Sequence, residues 1–305
     1  MTQEKPDVWM DWVLHHRHGG DTQFREHVRT EITQYADRVL DAAGLRPNMT
    51  LADIGTGDGL VGLRAIQRIG PSLKVVMTDI SEKLLDHAKA LATEQDVQTQ
   101  CTFIQGSADA LIGIADNSVD AVTCRAVLAY VADKPAAFRE IHRVLRPGGY
   151  LSIAEPIMLD AAIEVITLRR IVAARKDGDN DPFIPMLLRW RAALYPDTEE
   201  KMCQLPITSF GERDFIRYAM DAGFTDIHLE FHIDVENAAL RPSWNVYREM
   251  SPHPLAPTLS KVLDEHFTLD ERQFFEDKLR VLYETNQQLN VDRIVWMTAR
   301  KPLGT

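Results

Sequence analysis

Short apolar runs alternate with longer segments of helical spacing between residues 51 and 153. The apolar runs suit buried strands, and residues that cap helices well, such as Ser81 and Asp133, stand where helices would begin. Alternation of strand and helix is typical of a parallel sheet whose strands are joined by crossover helices. The pattern therefore predicts an α/β fold with a parallel sheet.

Helical patterns also precede and interrupt this region. Asp21 can cap a long helix whose apolar residues recur at spacings of three and four up to Val39, and Gly44 with Pro47 ends it. Two more helical stretches separate the predicted fifth strand from the last one. We expect a helical N-terminal cap or lid over residues 1–45 and a main domain over 46–305, with helical insertions at 157–206 and 236–290.

Charge and composition narrow the classes of partner. The 305 residues carry a formal charge of −11, with a pI near 5.4. Binding to a polyanion requires clustered Lys and Arg, so this balance disfavours nucleic acids and anionic membranes. A hydrophobic content of 45% supports one large core or two modest ones, as in a water-soluble enzyme.

Cysteine usage and the start of the chain predict a reducing compartment. Cys101, Cys124 and Cys203 have no paired spacing, and we expect them to be buried thiols. The first residues lack the apolar core of a secretory signal, and no run approaches the ~18 apolar residues of a membrane span. A cytoplasmic location without membrane attachment is the expectation.

One short stretch predicts a nucleotide-binding turn. An apolar run ends in Asp53, and three glycines follow at alternate positions: Gly55, Gly57 and Gly59. Glycine is needed where the backbone takes a positive φ or where a ligand leaves no room for a Cβ. Asp79 closes the next predicted strand, where a carboxylate can accept both hydrogen bonds of a ribose diol.

The same glycines permit a second interpretation. Residues 57–62 match the G-x-G-x-x-G pattern of nicotinamide dinucleotide enzymes. In that pattern the first glycine directly follows the strand, and here Gly55 already has that place. The position of Gly55 therefore favours the pattern D-x-G-x-G-x-G. An NAD(P)-dependent oxidoreductase is kept as an alternative.

Three later segments, together with this turn, resemble the class I S-adenosylmethionine-dependent methyltransferases. Residues 106–110 are similar to the family's adenine-contacting turn, 117–128 to its fourth strand, and 143–153 to its Pro-Gly-Gly turn and fifth strand. The resemblance covers about residues 48–156. It implies a mostly parallel, Rossmann-like sheet whose last strand is antiparallel. It also implies a methyltransferase activity, with S-adenosyl-L-methionine as cofactor and S-adenosyl-L-homocysteine as product.

The resemblance also assigns roles at the cofactor site. Asp79 is expected to bind the ribose hydroxyls and Asp109 the adenine amino group. Gly55 and Gly57 would admit the methionine part, since ligands of such sheets lie outside the carboxyl ends of the strands. The predicted cofactor-binding residues are Asp53, Gly55, Gly57, Gly59, Asp79, Ile80, Ala108, Asp109, Cys124 and Arg125.

Candidates for contact with the acceptor begin near the N-terminus. Trp12, His15 and His18 lie on a segment that could fold over the cofactor as a lid. Asp11 shares one helix face with the two histidines, as metal ligands would, but methyl transfer needs no ion and no metal is predicted. Glu155, just beyond the fifth strand, could orient an acceptor amine or cap the following helix.

The first insertion places several arginines beside aromatic residues. Their guanidinium groups could clamp a carboxylate, although most are expected to be solvated charges on helix faces. Two insertions around the mouth of the site favour an enclosed pocket for a small molecule. The predicted catalytic residues are His15, His18, Glu155 and Tyr195, and the predicted acceptor-binding residues are Trp12, Arg17, Asp21, Arg170, Arg189 and Trp190.

The acceptor is inferred from a second resemblance and from chemistry. Length, acidic composition and the segment from Trp12 to Asp21 are similar to the bacterial methionine S-methyltransferases of dimethylsulfoniopropionate synthesis. A thioether has a free lone pair at neutral pH and needs no base. We therefore expect S-methylation of a methionine-like thioether. The alternatives are O-, N- or C-methylation of an aromatic or quinone-like metabolite and a non-catalytic regulator that binds S-adenosylmethionine, and a homodimer is left open.

Overall fold

The computed structural model describes residues 7–176, 180–236, 241–285 and 290–304. Within these ranges seven strands form one sheet. The strands are β1 (Thr50–Ile54), β2 (Lys74–Asp79), β3 (Cys101–Gln105), β4 (Val119–Arg125), β5 (Leu145–Pro156), β6 (Thr225–Glu236) and β7 (Asn290–Arg300). Their order across the sheet is β3-β2-β1-β4-β5-β7-β6.

Helices connect and flank these strands. They are α1 (Val8–Leu14), α2 (Thr22–Ala42), α3 (Leu60–Ile69), α4 (Glu82–Glu94), α5 (Lys134–Val144), α6 (Leu159–Ala173), α7 (Phe183–Leu194), α8 (Glu199–Gln204), α9 (Glu212–Asp221), α10 (Trp244–Arg248), α11 (Leu259–His266) and α12 (Leu269–Glu284). Helices α3, α4 and α5 each follow one strand of the parallel part, as crossover connections do.

Strand direction confirms the predicted sheet. β1 pairs in parallel with β2 and β4, β2 with β3, and β4 with β5. β7 pairs with β5 in the antiparallel direction, with Tyr150 opposite Arg300. The fold is therefore a mostly parallel, Rossmann-like α/β sheet whose last strand is antiparallel, as the resemblance implied.

Contacts divide the chain into two units. The core unit comprises Thr30–Ile157, Phe210–His232 and Arg293–Thr305, and the helical unit comprises Met1–Arg29, Met158–Ser209 and Ile233–Asp292. Residues 7–29 thus group with most of the two predicted insertions, whereas most of α2 belongs to the core unit.

Side-chain caps fix where the predicted helices begin. The Asp21 carboxylate accepts a hydrogen bond from the Phe24 amide at 2.7 Å, and α2 starts there. Ser81 and Asp133 do the same for α4 and α5. These three starts confirm the capping residues expected from the sequence, because a polar side chain there satisfies amides that the helix leaves unpaired.

The C-terminal part of α2 packs on the core unit. Ala36 and Leu40 are buried against the layer formed by Leu51 and the first residues of α3. Val39 packs on Trp296, and its carbonyl accepts a hydrogen bond from Ser152 Oγ at 2.8 Å. The apolar stripe of α2 therefore covers the sheet.

The helical unit has its own apolar core. Phe275, Val262 and Leu263 are fully buried and pack with aromatic and aliphatic residues of α7, α10 and α12. Hydrogen bonds join its separate segments: Trp12 Nε1 donates to the Ser251 carbonyl at 3.0 Å, and the Ser251 amide donates to the His16 carbonyl at 3.1 Å. Segments that are far apart in sequence thus form one body.

A buried histidine makes this unit sensitive to acid. His253 is 1% exposed; its Nε2 lies 3.0 Å from the Leu194 carbonyl, to which it donates as the neutral tautomer, and its Nδ1 accepts from the Leu255 amide. Burial lowers the pKa of His253 from 6.5 to about 4, with the Leu194 carbonyl opposing. Between these pH values the unfolded chain binds a proton that the folded chain does not, so stability falls as the pH falls.

We expect the wild-type protein to lose about 2 kcal/mol of unfolding free energy through His253 between pH 7.5 and 5. Urea unfolding at both pH values measures the loss. His253→Gln keeps a donor for Leu194 but does not titrate, so its pH-dependent loss should be smaller by that amount. His16→Gln, at an exposed side chain, should behave like the wild type. Equal losses in wild type and His253→Gln would contradict the assignment.

The cysteine expectation is only partly confirmed. Cys124 is buried in β4, and Cys101 is half-buried at the start of β3. Cys203 is exposed on α8, so the prediction of a buried thiol is wrong there, because this six-residue helix buries none of its residues. Among the described helices, none combines the length and apolarity needed to cross a membrane.

Candidate functional site

The glycine turn after β1 has the backbone that its sequence predicts. Gly55, Gly57 and Gly59 have φ values of 63°, 57° and 81°, in the left-handed region that glycine favours. A Cβ at Gly55 would lie 2.2 Å from Val127 Cγ2, whereas a Cβ at Gly57 would meet no atom within 4 Å. Gly55 is thus required for packing, and Gly57 borders open space where a ligand can approach the backbone.

Asp53 holds this turn from beneath. Its carboxylate is 1% exposed and accepts hydrogen bonds from Thr56 Oγ1 at 2.6 Å, Thr123 Oγ1 at 2.9 Å and the Gly62 amide at 3.2 Å. Burial raises its pKa to about 6, and the hydrogen bonds from Thr56 and Thr123 oppose that rise. The geometry gives Asp53 a supporting role between β1, β4 and α3, in place of the direct cofactor contact expected from the sequence.

Asp79 lies beside the turn at the carboxyl end of β2. Its Oδ2 accepts from the Gly57 amide and its Oδ1 from the Ser81 amide, both at 2.9 Å. The Thr56 amide donates to the Thr78 carbonyl at 2.8 Å. The glycine turn and the acid are therefore joined at one edge of the sheet, as needed to hold a nucleoside between them.

The segment after β3 reaches the same edge. The Gly106 amide donates to the Asp79 carbonyl at 2.9 Å, and Gln105 Nε2 donates to the Ile80 carbonyl at 3.1 Å. The Ile80 side chain is exposed, Ala108 is buried and Asp109 is half-buried. The predicted adenine-side residues thus lie on neighbouring segments beside Asp79.

The segment after β4 is held by Glu155. This carboxylate is fully buried; both its oxygens lie 3.0 Å from the Val127 amide, and Oε2 also accepts from the Ala129 amide at 3.1 Å. Burial raises the pKa of Glu155, and these amides oppose the rise. The sequence predicted a catalytic role for Glu155, but its oxygens are engaged with loop backbone, so the structure favours a positioning role.

Cys124 lies next to this carboxylate. Its Sγ is 3.5 Å from Glu155 Oε1. Burial raises the pKa of the Cys124 thiol well above its ordinary value, and the nearby carboxylates add to the rise. The thiol is therefore held neutral and acts as a small packing group at the end of β4.

The N-terminal candidates lie in the helical unit. His18 is 3% exposed, and neither ring nitrogen makes a hydrogen bond within normal limits. Burial lowers the pKa of His18, with the Leu14 backbone opposing. His15 is exposed, and Arg17 lies over the Trp12 ring at 5.5 Å. Within the described ranges, no group of three metal-ligating side chains has the arrangement of an ion site.

The candidates of the first insertion are largely engaged within the helical unit. Arg189 pairs with both oxygens of Glu271, at 2.9 and 3.0 Å, and Arg170 pairs with Glu199 at 2.6 Å. Trp190 is 7% exposed within the apolar core of this unit, and the Tyr195 ring lies 5.1 Å from the ring of His253. Asp21 caps α2. These contacts are structural, so they do not support the carboxylate clamps expected at Arg170 and Arg189.

Lys134 is a buried cation that was not among the site residues predicted from the sequence. This residue is 3% exposed at the first turn of α5; its Nζ donates to the Val131 carbonyl at 3.0 Å and lies 4.2 Å from the Phe210 ring. Burial lowers its pKa to about 8, while Glu155 and Asp214 oppose the shift. A cation in the first turn of a helix opposes the helix dipole, and this was the only signal that the sequence offered.

Comparison with known proteins agrees with this geometry. A family model described as a methyltransferase domain matches residues 52–153. The ubiquinone/menaquinone biosynthesis C-methyltransferase UbiE of Klebsiella pneumoniae subsp. pneumoniae is 28% identical over 200 residues, which cover 62% of this chain and 76% of the relative. The UbiE of Hahella chejuensis is 36% identical over 116 residues, covering 38% of this chain and 46% of the relative.

Solved structures share the fold. Phosphoethanolamine N-methyltransferase 2 of Haemonchus contortus, in complex with S-adenosyl-L-methionine, has a TM-score of 0.50 at 16% identity, covering 96% of this chain and 56% of that chain. The cyclase SpnF has a TM-score of 0.51 at 19% identity, covering 89% and 81%. Because the second protein is a cyclase, likeness at this level describes the fold and leaves the reaction to the site.

The turn, the acid beside it and the sequence matches define the class of this protein. It is a class I S-adenosylmethionine-dependent methyltransferase, and its cofactor is S-adenosyl-L-methionine. The residues fit that cofactor: Gly57 leaves open space next to its backbone, and Asp79 places a carboxylate at the end of the adjoining strand.

Two glycine substitutions test whether a ligand occupies the open space beside Gly57. Gly57→Ala and Gly44→Ala both place a Cβ at a left-handed residue, with φ of 57° and 63°, and neither meets an atom closer than 3.6 Å. We expect each to cost about 1 kcal/mol of stability by urea unfolding. Only Gly57→Ala should weaken S-adenosylhomocysteine binding, roughly 10-fold by calorimetry, because its Cβ enters the ligand's space. Equal affinity in both variants would contradict this role.

Proposed function

We propose that this enzyme methylates a small-molecule thioether of the methionine type at sulfur. S-adenosyl-L-methionine supplies a methyl group on a sulfonium, which carries its own activation. The protein then has to bind and align, and alignment alone can lower a barrier by ~7–11 kcal/mol. We assign Asp79 to the ribose hydroxyls, Asp109 to the adenine amino group, and the backbone at Gly55 and Gly57 to the methionine part.

The state of the buried carboxylates supports an acceptor that needs no base. Asp53 accepts three hydrogen bonds from its own unit, and Glu155 is engaged by the amides of Val127 and Ala129. A hydroxyl or ammonium acceptor requires proton removal by a group within hydrogen-bond reach. A thioether reacts through a free lone pair, so these two carboxylates can remain structural.

For the acceptor, Trp12 and His18 are the proposed contacts. Methylation of a thioether forms a second sulfonium cation, and an indole face attracts such a cation. Because burial lowers the pKa of His18, this side chain adds no positive charge. The enzyme is proposed to be cytoplasmic, and association into a homodimer stays a prediction.

A second candidate function is C-methylation of a quinone-like acceptor. The relatives at 28% and 36% identity are both named ubiquinone/menaquinone biosynthesis C-methyltransferases, and one match extends over 200 residues. That length exceeds the 52–153 segment of the methyltransferase domain. The relatives therefore support testing a quinol beside a thioether.

One experiment separates these functions. Purified enzyme is incubated with methyl-labelled S-adenosyl-L-methionine and either L-methionine or a demethylated menaquinol, and Asp79→Ala serves as the inactive control. Labelled S-methylmethionine, found by mass spectrometry, is the expected product. Label in the quinol alone would replace the first proposal by the second. Tight donor binding without label in either acceptor would favour the non-catalytic regulator.

A further inference from the structure

Arg125 ends β4 at the crevice edge of the sheet. Side chains two residues apart on a strand leave the same face, so Arg125 and Thr123 point to one side. Thr123 Oγ1 donates to Asp53 Oδ1 at 2.9 Å, and Asp53 Oδ2 holds the glycine turn through Thr56. The guanidinium of Arg125 therefore leaves the strand on the side of the glycine turn.

This guanidinium has no protein partner in the described ranges. Its Nε is shielded from solvent and makes no hydrogen bond, and none of the ion pairs among the described residues includes its side chain. Arg143 and Arg64 differ from it: Arg143 bonds to Glu140 and to two backbone carbonyls, and Arg64 pairs with Asp37. A buried donor without a partner costs about 1–3 kcal/mol, which a ligand with matching acceptors would offset.

Arg125 is close enough to Asp53 for its positive charge to lower the pKa of that carboxyl, but no hydrogen bond joins the two side chains among the described residues. The Asp53 oxygens already accept from Thr56, Thr123 and Gly62. Arginine presents a planar fork of donors that matches a carboxylate with two parallel hydrogen bonds. The partner that completes this fork therefore has to come from a ligand.

We propose that Arg125 binds the carboxylate of an amino-acid-type ligand in the crevice. Two ligands carry that group: the methionine part of the cofactor and, resting on the proposed function, a methionine-type acceptor. In both cases the guanidinium acts as a binding group beside the glycine turn. Either ligand would bind through the same interaction between carboxylate and guanidinium. The cofactor and the acceptor are distinguished by removing the carboxylate from one ligand at a time.

The first arm measures cofactor binding by calorimetry. S-adenosylhomocysteine is compared with its decarboxylated analogue in wild type, Arg125→Met, Arg125→Lys and Arg139→Met. Arg139 is an exposed arginine of α5 and serves as the matched control. If the cofactor supplies the carboxylate, Arg125→Met weakens S-adenosylhomocysteine roughly 10- to 100-fold and leaves the analogue unchanged. Arg125→Lys keeps the charge without the fork and falls in between.

The second arm measures the acceptor. Steady-state KM values are determined for L-methionine and for 3-(methylthio)propylamine, which lacks the carboxylate. If the acceptor supplies the group, Arg125→Met raises KM for methionine by a similar factor, while S-adenosylhomocysteine affinity and the KM for the amine stay near wild type. Failure of methionine as a substrate would refute the proposed acceptor, and the calorimetric arm would still decide the role of Arg125.

Unfolding measurements distinguish ligand binding from a structural role of Arg125, because a structural role would make its replacement destabilising. Because Nε has no partner, Arg125→Met should unfold in urea at or above the wild-type midpoint. Marked destabilisation, equal weakening of S-adenosylhomocysteine and its decarboxylated analogue, or unchanged values in both arms would each overturn the proposal.

Discussion

Asp79→Ala is expected to weaken S-adenosylhomocysteine binding by roughly 100-fold or more. A carboxylate that accepts two hydrogen bonds from a ribose diol contributes about 1.5–3 kcal/mol for each bond. Asp79 also accepts from the Gly57 and Ser81 amides, so its removal loosens the turn as well. Asp79→Asn retains one acceptor oxygen and should lose roughly 10-fold. Isothermal titration calorimetry on the folded variants measures both losses.

Asp120 provides the control for this experiment. It lies near the amino end of β4, where it accepts from the Thr50 amide at 2.7 Å and from Arg146 at 2.6 Å. Asp120→Ala therefore also removes a carboxylate that holds sheet backbone. Asp120 is near the amino end of its strand, whereas Asp79 is at the carboxyl end of its own. Asp120→Ala should lower stability and leave S-adenosylhomocysteine affinity near wild type. Wild-type affinity in folded Asp79→Ala would refute the ribose assignment.

The cofactor edge was predictable because its signals are local. Left-handed glycines at Gly55, Gly57 and Gly59 follow from residue type alone, since other residues rarely adopt that backbone. The position of Asp79 follows from strand length and from the convergence of parallel strands at one edge. A capping residue such as Ser81 acts within one turn of its helix. Apart from the convergence of the strands, each of these features depends on residues that are close in sequence.

The partners of the arginines were not predictable in the same way. Arg189 pairs with Glu271 across 82 residues, and Arg170 with Glu199 across 29. Both pairs depend on which helices of the helical unit become neighbours, and spacing within one helix carries no information on that. The sequence therefore predicted acceptor binding for Arg170 and Arg189, which form ion pairs in the structure. Arg125, which has no such pair among the described residues, was predicted to bind the cofactor.

The role of Glu155 was missed for the same physical reason. Glu155 lies on β5 and accepts hydrogen bonds from the amides of Val127 and Ala129, which follow β4. The intervening Ala126 has a φ of 55°, an uncommon value for a residue with a Cβ, and Val127 packs against Gly55. The segment after β4 thus depends on a carboxylate of β5, and the glycine turn depends on that segment.

Glu155→Ala is expected to lower the free energy of unfolding by about 3–5 kcal/mol. Its removal leaves the amides of Val127 and Ala129 unpaired, at about 1–3 kcal/mol each, and opens a cavity beside Cys124. Urea unfolding followed by circular dichroism measures the loss. Glu155→Gln preserves shape and one acceptor oxygen, so it should lose about half as much.

Ser152→Ala is the matched control for this prediction, because Ser152 is also buried in β5. Its hydroxyl donates one hydrogen bond, to the Val39 carbonyl. It should lose about 1 kcal/mol. Glu155→Gln should also bind S-adenosylhomocysteine more weakly than Ser152→Ala, since Val127, which packs against Gly55, is then held by fewer hydrogen bonds. If Glu155→Ala is no less stable than Ser152→Ala, this carboxylate does not organise the segment after β4, and the support for a base-free acceptor is lost with it.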